Sequence, residues 1–215
     1  MPRSAAPDAP RRAARARPTR AELEAANGRR VPDLIAPDLR VLFCGINPSL
    51  YSAVVGHHFA RPGNRFWPTL HQAGFTERLL APSEEHELLA AGFGITNVFP
   101  RASASAEALS REDYRVGSAS LRRKLARYRP RLIAFLGIGA YRITAERPGA
   151  VVGPQDVPFE GIPAWVLPNP SGLNAHYQLE QLVEVYRALA RVALSRRTSS
   201  PTTGGIRAPS GNCLR

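Results

Sequence analysis

The sequence predicts an α/β fold: three layers, with a central, mostly parallel sheet covered by helices on both faces. Three observations predict it. Apolar runs alternate along the chain with stretches of helical periodicity. The runs are almost continuously apolar, which suits strands buried on both sides. The 215 residues are also enough to bury one core of that size, with some chain left for tails.

In order, residues 1–35 are basic and rich in Ala, Arg and Pro, and read as a disordered tail with one helical turn around Glu22–Ala26. The stretch has no apolar segment of the kind a secretory signal needs. The first strand is Val41–Gly45, which breaks at once into Ile46, Asn47, Pro48 and Ser49. Helices follow over 65–73 and 84–91, then a strand over 95–99. In the next helix, 110–128, Leu121, Leu125 and Tyr128 form an apolar face, and Arg122, Arg123, Lys124 and Arg127 form a face read as solvated. A strand over 132–137, a helix over 139–145 and a strand over 164–167 lead to a last helix over 178–193. There Leu179, Leu182, Val183, Tyr186 and Leu189 recur with helical spacing. Residues 197–215 read as a flexible tail. The expectation is one folded domain, 36–196, between two tails.

Composition narrows the function. The net charge of +12 divides into +3 over 1–38, +5 over 39–195 and +4 over 196–215. Such a balance favours polyanions, nucleic acid among them. Yet 28 arginines against a single lysine, with abundant alanine, also read as GC-rich coding, so charge alone does not decide. Cys44 and Cys213 lie far apart in unlike settings, which supports no disulfide framework and fits a reducing compartment. No apolar run approaches the ~18 residues that span a bilayer. Neither a P-loop nor a dinucleotide fingerprint occurs, and the Gly137–Arg142 turn is too short for one. His57 and His58 find no third ligand at sensible spacing, so neither metal nor cofactor is expected.

Open parallel sheets bind ligands beyond the carboxyl ends of their strands, so the loops there carry the interest. In the first, Gly45 permits a close approach and Pro48 pushes Asn47 toward extended geometry. A carboxamide is no general base, but it orients a water or a ligand amide through both its C=O and its NH₂. Asn-Pro is equally an ordinary turn former. The loop after the last strand, 168–174, is small and polar around Leu173, which is either a plug against its own domain or a wedge of the kind that unstacks DNA. Between them, residues 57–70 (HHFARPGNRFWPTL) offer Phe59, Phe66 and Trp67 as aromatic surface, and Arg61 and Arg65 as phosphate partners. Phe66 and Trp67 read as core at a helix start. Phe59 is less obviously core.

Five segments carry a resemblance: VLFCGINPSL, FARPGNRFWPTLHQAGFT, GITNVFPRASA, IAFLGIGAY and WVLPNPSGLNAHY. In this order, from about Leu39 to Ala193, they resemble the mismatch-specific uracil/thymine-DNA glycosylases, the bacterial G:U mismatch-specific branch especially. The resemblance implies a uracil-DNA-glycosylase-like fold. It implies a cofactor-free, monofunctional enzyme of base excision repair that hydrolyses the N-glycosidic bond of flipped-out uracil, in G:U mismatches, with ethenocytosine and other modified bases as further substrates. The implied partner is double-stranded DNA with a damaged or mismatched base; the implied setting is a monomer at the nucleoid of a bacterial cytoplasm. Residue by residue, Asn47 matches the water-positioning asparagine and Phe59 the ring that stacks on the base. The Ile46 backbone reads the uracil edge, with Gly45, Pro48, Ser49, Ser52 and Asn64 beside it. Leu173 matches the intercalating residue, Gly172 and Asn174 face the widowed guanine, and Ser171 grips the DNA backbone. Two positions depart from the family pattern. Ser49 stands where the loop usually has glycine. Asn174-Ala175-His176 replaces a Ser-Arg pair, with His176 a partial substitute for the arginine. These departures keep open a second reading, a lesion- or mismatch-binding protein without turnover. The only lysine lies in the basic helix, which argues against a lyase step through a Schiff base.

Overall fold

Residues 17–195 are described by the computed structural model. The elements are α1 (Arg20–Ala25), β1 (Val41–Gly45), α2 (Leu50–Val55), α3 (Phe66–Gln72), α4 (Glu87–Ala90), β2 (Phe93–Asn97), α5 (Arg111–Tyr128), β3 (Ile133–Leu136), α6 (Ile138–Thr144), β4 (Gly153–Pro154), β5 (Ala164–Leu167) and α7 (Leu179–Ser195). The sheet order is β2-β1-β3-β5-β4. The four apolar runs are its parallel strands, and only the two-residue β4 runs antiparallel, at an edge.

Alternation along β1 shows why both faces must be covered. Val41 and Phe43 enter one core with Phe66, Trp67, Leu70 and Tyr186. Leu42 and Cys44 enter the other with Leu121, Leu125, Phe135 and Tyr141. The strand is buried throughout, as its unbroken apolar pattern requires. Burial pushes the Cys44 thiol well above its ordinary pKa. Cys213 and the tail expected over 197–215 lie outside the described residues.

Two expectations are corrected. Residues 17–35, expected as part of a disordered tail, are ordered. Thr19 and Glu22 form a capping box on α1, Ala26 and Val31 are buried, and Leu34 exchanges backbone hydrogen bonds with Ile95. Short-range capping and a few small apolar contacts outweigh the Arg/Pro bias there. Lys124 is not on a solvated face either. Its ammonium lies 2.6 Å from Asp33 Oδ2 and donates to Thr96 Oγ1 at 2.9 Å, pinning the N-terminal segment to β2 and α5. Among the described residues, no helix is long and apolar enough to cross a membrane.

Candidate active site

β1 and β2 end side by side, with Gly45 paired to Asn97. A Cβ on Gly45 would lie 2.5 Å from Asn97 Oδ1, so glycine leaves the Asn97 amide where it stands, and 3.5 Å from the tip of Phe59, an ordinary contact. Beyond the strand ends opens a cleft of about 830 Å³. It brings together Gly45, Ile46, Asn47, Pro48, Ser49, Ser52, Phe59, Asn64, Ser171, Leu173, Asn174 and His176, with Arg61 beside them; Gly172, Arg65, Phe66 and Trp67 do not line it.

The orientation of Asn47 follows from a chain of hydrogen bonds. Ser103 Oγ donates to the Ser105 carbonyl at 2.6 Å. Its one hydrogen is therefore used, and toward Asn47 it can only accept. The Asn47 Nδ2 group supplies that bond at 2.8 Å and a second to the Pro48 carbonyl at 3.2 Å. Both amide hydrogens are spent, and Oδ1 is left as an acceptor with no partner among the described residues, on a residue that lines the cleft.

Ser49 does not strain its turn. Its φ is −69°, and its hydroxyl accepts the Ser52 amide at 3.1 Å as the N-cap of α2. Ser52 is buried and its Oγ accepts the Ala60 amide at 3.2 Å, which ties down the segment carrying Phe59. That segment is held tightly. Glu85 accepts the His58 amide at 2.8 Å and meets His57 Nδ1 at 3.1 Å, and Trp67 Nε1 donates to the His58 carbonyl at 3.2 Å. These bonds support a left-handed Phe59 (φ 52°), a conformation that costs a non-glycine residue about 1–3 kcal/mol. The ring of Phe59 stacks on Phe66 at 4.0 Å between centroids, which covers one ring face and commits its position. Asn64 Oδ1 is taken by the Phe66 amide at 2.9 Å, so this residue starts α3 as well as lining the cleft.

On the far side, Asn169 and Asn174 build the loop that carries Leu173. Asn169 Oδ1 accepts the Ser171 amide, and Asn174 donates to the Asn169 carbonyl at 2.9 Å while accepting the His176 amide at 3.1 Å. Leu173 is left 75% exposed at the tip. It is not a plug. Arg65 differs from its expected role as a phosphate partner. Its guanidinium donates to the carbonyls of Ser171, Asn174 and Tyr177, and so is spent inside the protein. Arg61, exposed at the cleft rim, keeps its charge for a ligand.

Three residues in this site carried no sequence-based role. Asn97 is 3% exposed, lines the cleft, and has a buried Nδ2 with no partner. Ser103 and Ser105 orient Asn47 from 56 and 58 positions away. Asn97 and Ser103 lay within the GITNVFPRASA segment of the resemblance without a role of their own, and Asn97 also closes a buried strand as a polar residue. Ser105 left no signal. The described residues hold no cluster of His, Cys, Asp and Glu that would hold a metal.

Fold and site together define an α/β protein with a ligand cleft at the carboxyl ends of a parallel sheet, lined by amides and one stacked aromatic ring, with an exposed apolar tip at its rim. The solution NMR structure described as a "putative Uracil DNA glycosylase" from Methanosarcina acetivorans is similar, with a TM-score of 0.56 over 78% of this chain and 98% of that one, at 22% sequence identity. That likeness concerns the fold. The model of the uracil DNA glycosylase superfamily matches residues 32–190, and the chain belongs to that family. It is accordingly a DNA glycosylase of the uracil type, a hydrolase of N-glycosyl bonds that acts on DNA.

Proposed function

We propose that the protein is a monofunctional glycosylase that takes uracil from G:U mismatches in duplex DNA, flipping the nucleotide into the cleft and hydrolysing it with a water held by Asn47. The observation that carries this reading is the oriented amide of Asn47. With both hydrogens committed, Oδ1 accepts a hydrogen from water and turns the water's lone pair toward the sugar C1′. The water oxygen bonds to C1′, the N1–C1′ electron pair leaves with uracil, and the water's surplus proton passes to solvent, since an amide cannot hold it. Cleavage therefore relies on a good leaving group. Asn97 supplies what a departing uracil anion needs. Its Nδ2 offers a donor to a ring carbonyl, and its Oδ1 an acceptor for N3–H. At the positions of O4 and N3 cytosine presents the reverse pattern, which this orientation of the amide does not pair.

Phe59, backed by Phe66, gives a base a flat surface. Leu173 fills the space a flipped base leaves, and a mismatched base costs less to extrude. Lys124, ion-paired to Asp33 and outside the cleft, supports hydrolysis without a lyase step. Ser49, which motivated a reading without turnover, acts as a helix cap and leaves Asn47 in place.

The test is single-turnover cleavage of a duplex with one G:U pair, followed by alkali, for the wild type and Asn47→Ala. Strand breakage that falls by roughly 10²-fold in the variant, the scale of losing the positioning of one reactant, is the expected result. A wild type that binds the mismatch and releases no uracil would overturn the proposal.

A further inference from the structure

Arg65 is the one cation at the site whose donors point inward. Nη1 donates to the Tyr177 carbonyl, and Nη2 to those of Ser171 and, at 2.9 Å, Asn174. Its backbone amide adds a bond to the Pro170 carbonyl at 3.0 Å. Among the described residues it has no acidic partner, and its Nε is buried without one. The three carbonyls lie on both sides of Leu173 in the chain. A planar fork of fixed geometry thus closes the base of the turn that carries this side chain. A lysine also has three donors, but they radiate from one nitrogen on a flexible stem and do not reproduce a planar fork that serves the carbonyls from two nitrogens. The docking is close elsewhere too: a Cβ on Gly172 would lie 2.6 Å from the Gly63 carbonyl.

We infer that Arg65 is the positioning residue of the Leu173 loop, holding the leucine at the angle needed to enter a duplex while touching no DNA itself. The inference deepens the glycosylase reading and rests on it. It makes the arginine of the N-R-F-W stretch and the N-P-S-G-L stretch one functional unit.

The test has two arms, run on wild type, Arg65→Ala, Arg65→Lys, Leu173→Ala and the Arg65→Ala/Leu173→Ala double variant. The first is amide hydrogen exchange. Exchange over 171–177 is expected to accelerate by about tenfold or more in Arg65→Ala, the effect of losing one charged hydrogen bond, with β1 and β3 unchanged and Arg65→Lys in between. The second is fluorescence of 2-aminopurine placed beside the uracil of a G:U duplex. Arg65→Ala is expected to lose the unstacking signal to the level of Leu173→Ala, and the double variant to be no worse than Leu173→Ala. Unchanged exchange over 171–177 overturns the inference. So does exchange that rises equally in β1 and β3, a loosened loop that still unstacks at the wild-type level, or additive losses in the double variant. If Arg65→Ala does not fold, Arg65→Lys decides by the same criteria. A wild type that gives no unstacking signal overturns the glycosylase reading and the DNA role of Arg65 with it, whereas a wild type that unstacks beside an equally competent Arg65→Ala overturns this inference alone.

Discussion

The two loops that flank the cleft are built by opposite means. The Asn47 loop is fixed from within and by its neighbour, through the Ser49 cap, the Pro48 carbonyl and the Ser105–Ser103 relay. The Leu173 loop, also tied within itself by Asn169 and Asn174, shows a bare apolar tip and is closed from outside by one distant guanidinium. Each has a glycine with no space for a Cβ, and the obstacle differs. Gly45 faces a side-chain oxygen, Asn97 Oδ1, and Gly172 faces a backbone carbonyl, that of Gly63. A side chain can turn away, but a backbone carbonyl moves only with its loop. A Cβ at position 45 is therefore relieved by turning one amide, whereas at position 172 it displaces the loop.

The largest expected effect falls on the first loop, in the Asn47→Ala comparison already described. Next, Gly172→Ala should shift the Leu173 loop as a body and lower duplex cleavage by about tenfold to a hundredfold, since a displacement of about 1 Å costs on that order. Parallel kinetics with Gly45→Ala sharpen the contrast. That change should displace the Asn97 amide and erode uracil-over-cytosine discrimination, measured by competing substrates, with the Leu173 loop intact. A Gly172→Ala variant with wild-type duplex kinetics would break the comparison. Ser103→Ala should free the Asn47 amide to rotate and slow single-turnover cleavage by roughly tenfold, the worth of one hydrogen bond of about 1.4 kcal/mol, with binding to an abasic-site analogue unchanged.

The smallest effect is one of pH. Burial holds the His58 imidazole below its ordinary value of 6.5, against the opposing pull of Glu85 and Asp33, while its Nε2 meets the Pro32 carbonyl at 2.9 Å. The unfolded chain therefore binds this proton more readily than the native one. Stability should be full above about pH 6.5 and decline below it until the depressed native value is passed. Thermal melts at pH 7.5 and 5.5, with His58→Gln as control, measure it. A wild-type loss on acidification no larger than that of the variant would refute it.

Much of this was legible in the sequence, for identifiable reasons. The parallel strands announce themselves because burial on both faces demands unbroken apolar runs. β2 begins two residues before the expected 95 and ends at Asn97, although Val98 and Phe99 continue the apolar run and still donate backbone hydrogen bonds to the Gly45 and Ile46 carbonyls. β4 is a Gly-Pro pair with no strand signal, and α2 is too short to show a period. In the site, Asn47, Phe59 and Leu173 were legible because they lie in dense local motifs. Asn97, Ser103 and the true work of Arg65 were not, because each depends on contacts more than fifty positions away or across strands. Lys124 was misread for the same reason: its partner Asp33 lies ninety-one positions earlier, in a stretch whose composition resembles a tail.

That stretch has a consequence for where the molecule can be cut. The Gly28 amide donates to the Ala102 carbonyl, and the Ala102 amide donates to the Arg29 carbonyl, both at 2.8 Å, one residue before Ser103. A fragment starting at residue 36 keeps every strand and every motif residue. It also unclasps the support beneath the hydroxyl that orients Asn47, and strands the half-buried ammonium of Lys124. Loss of this segment should therefore lower cleavage without touching the cleft, through the Ala102–Ser103 support it provides.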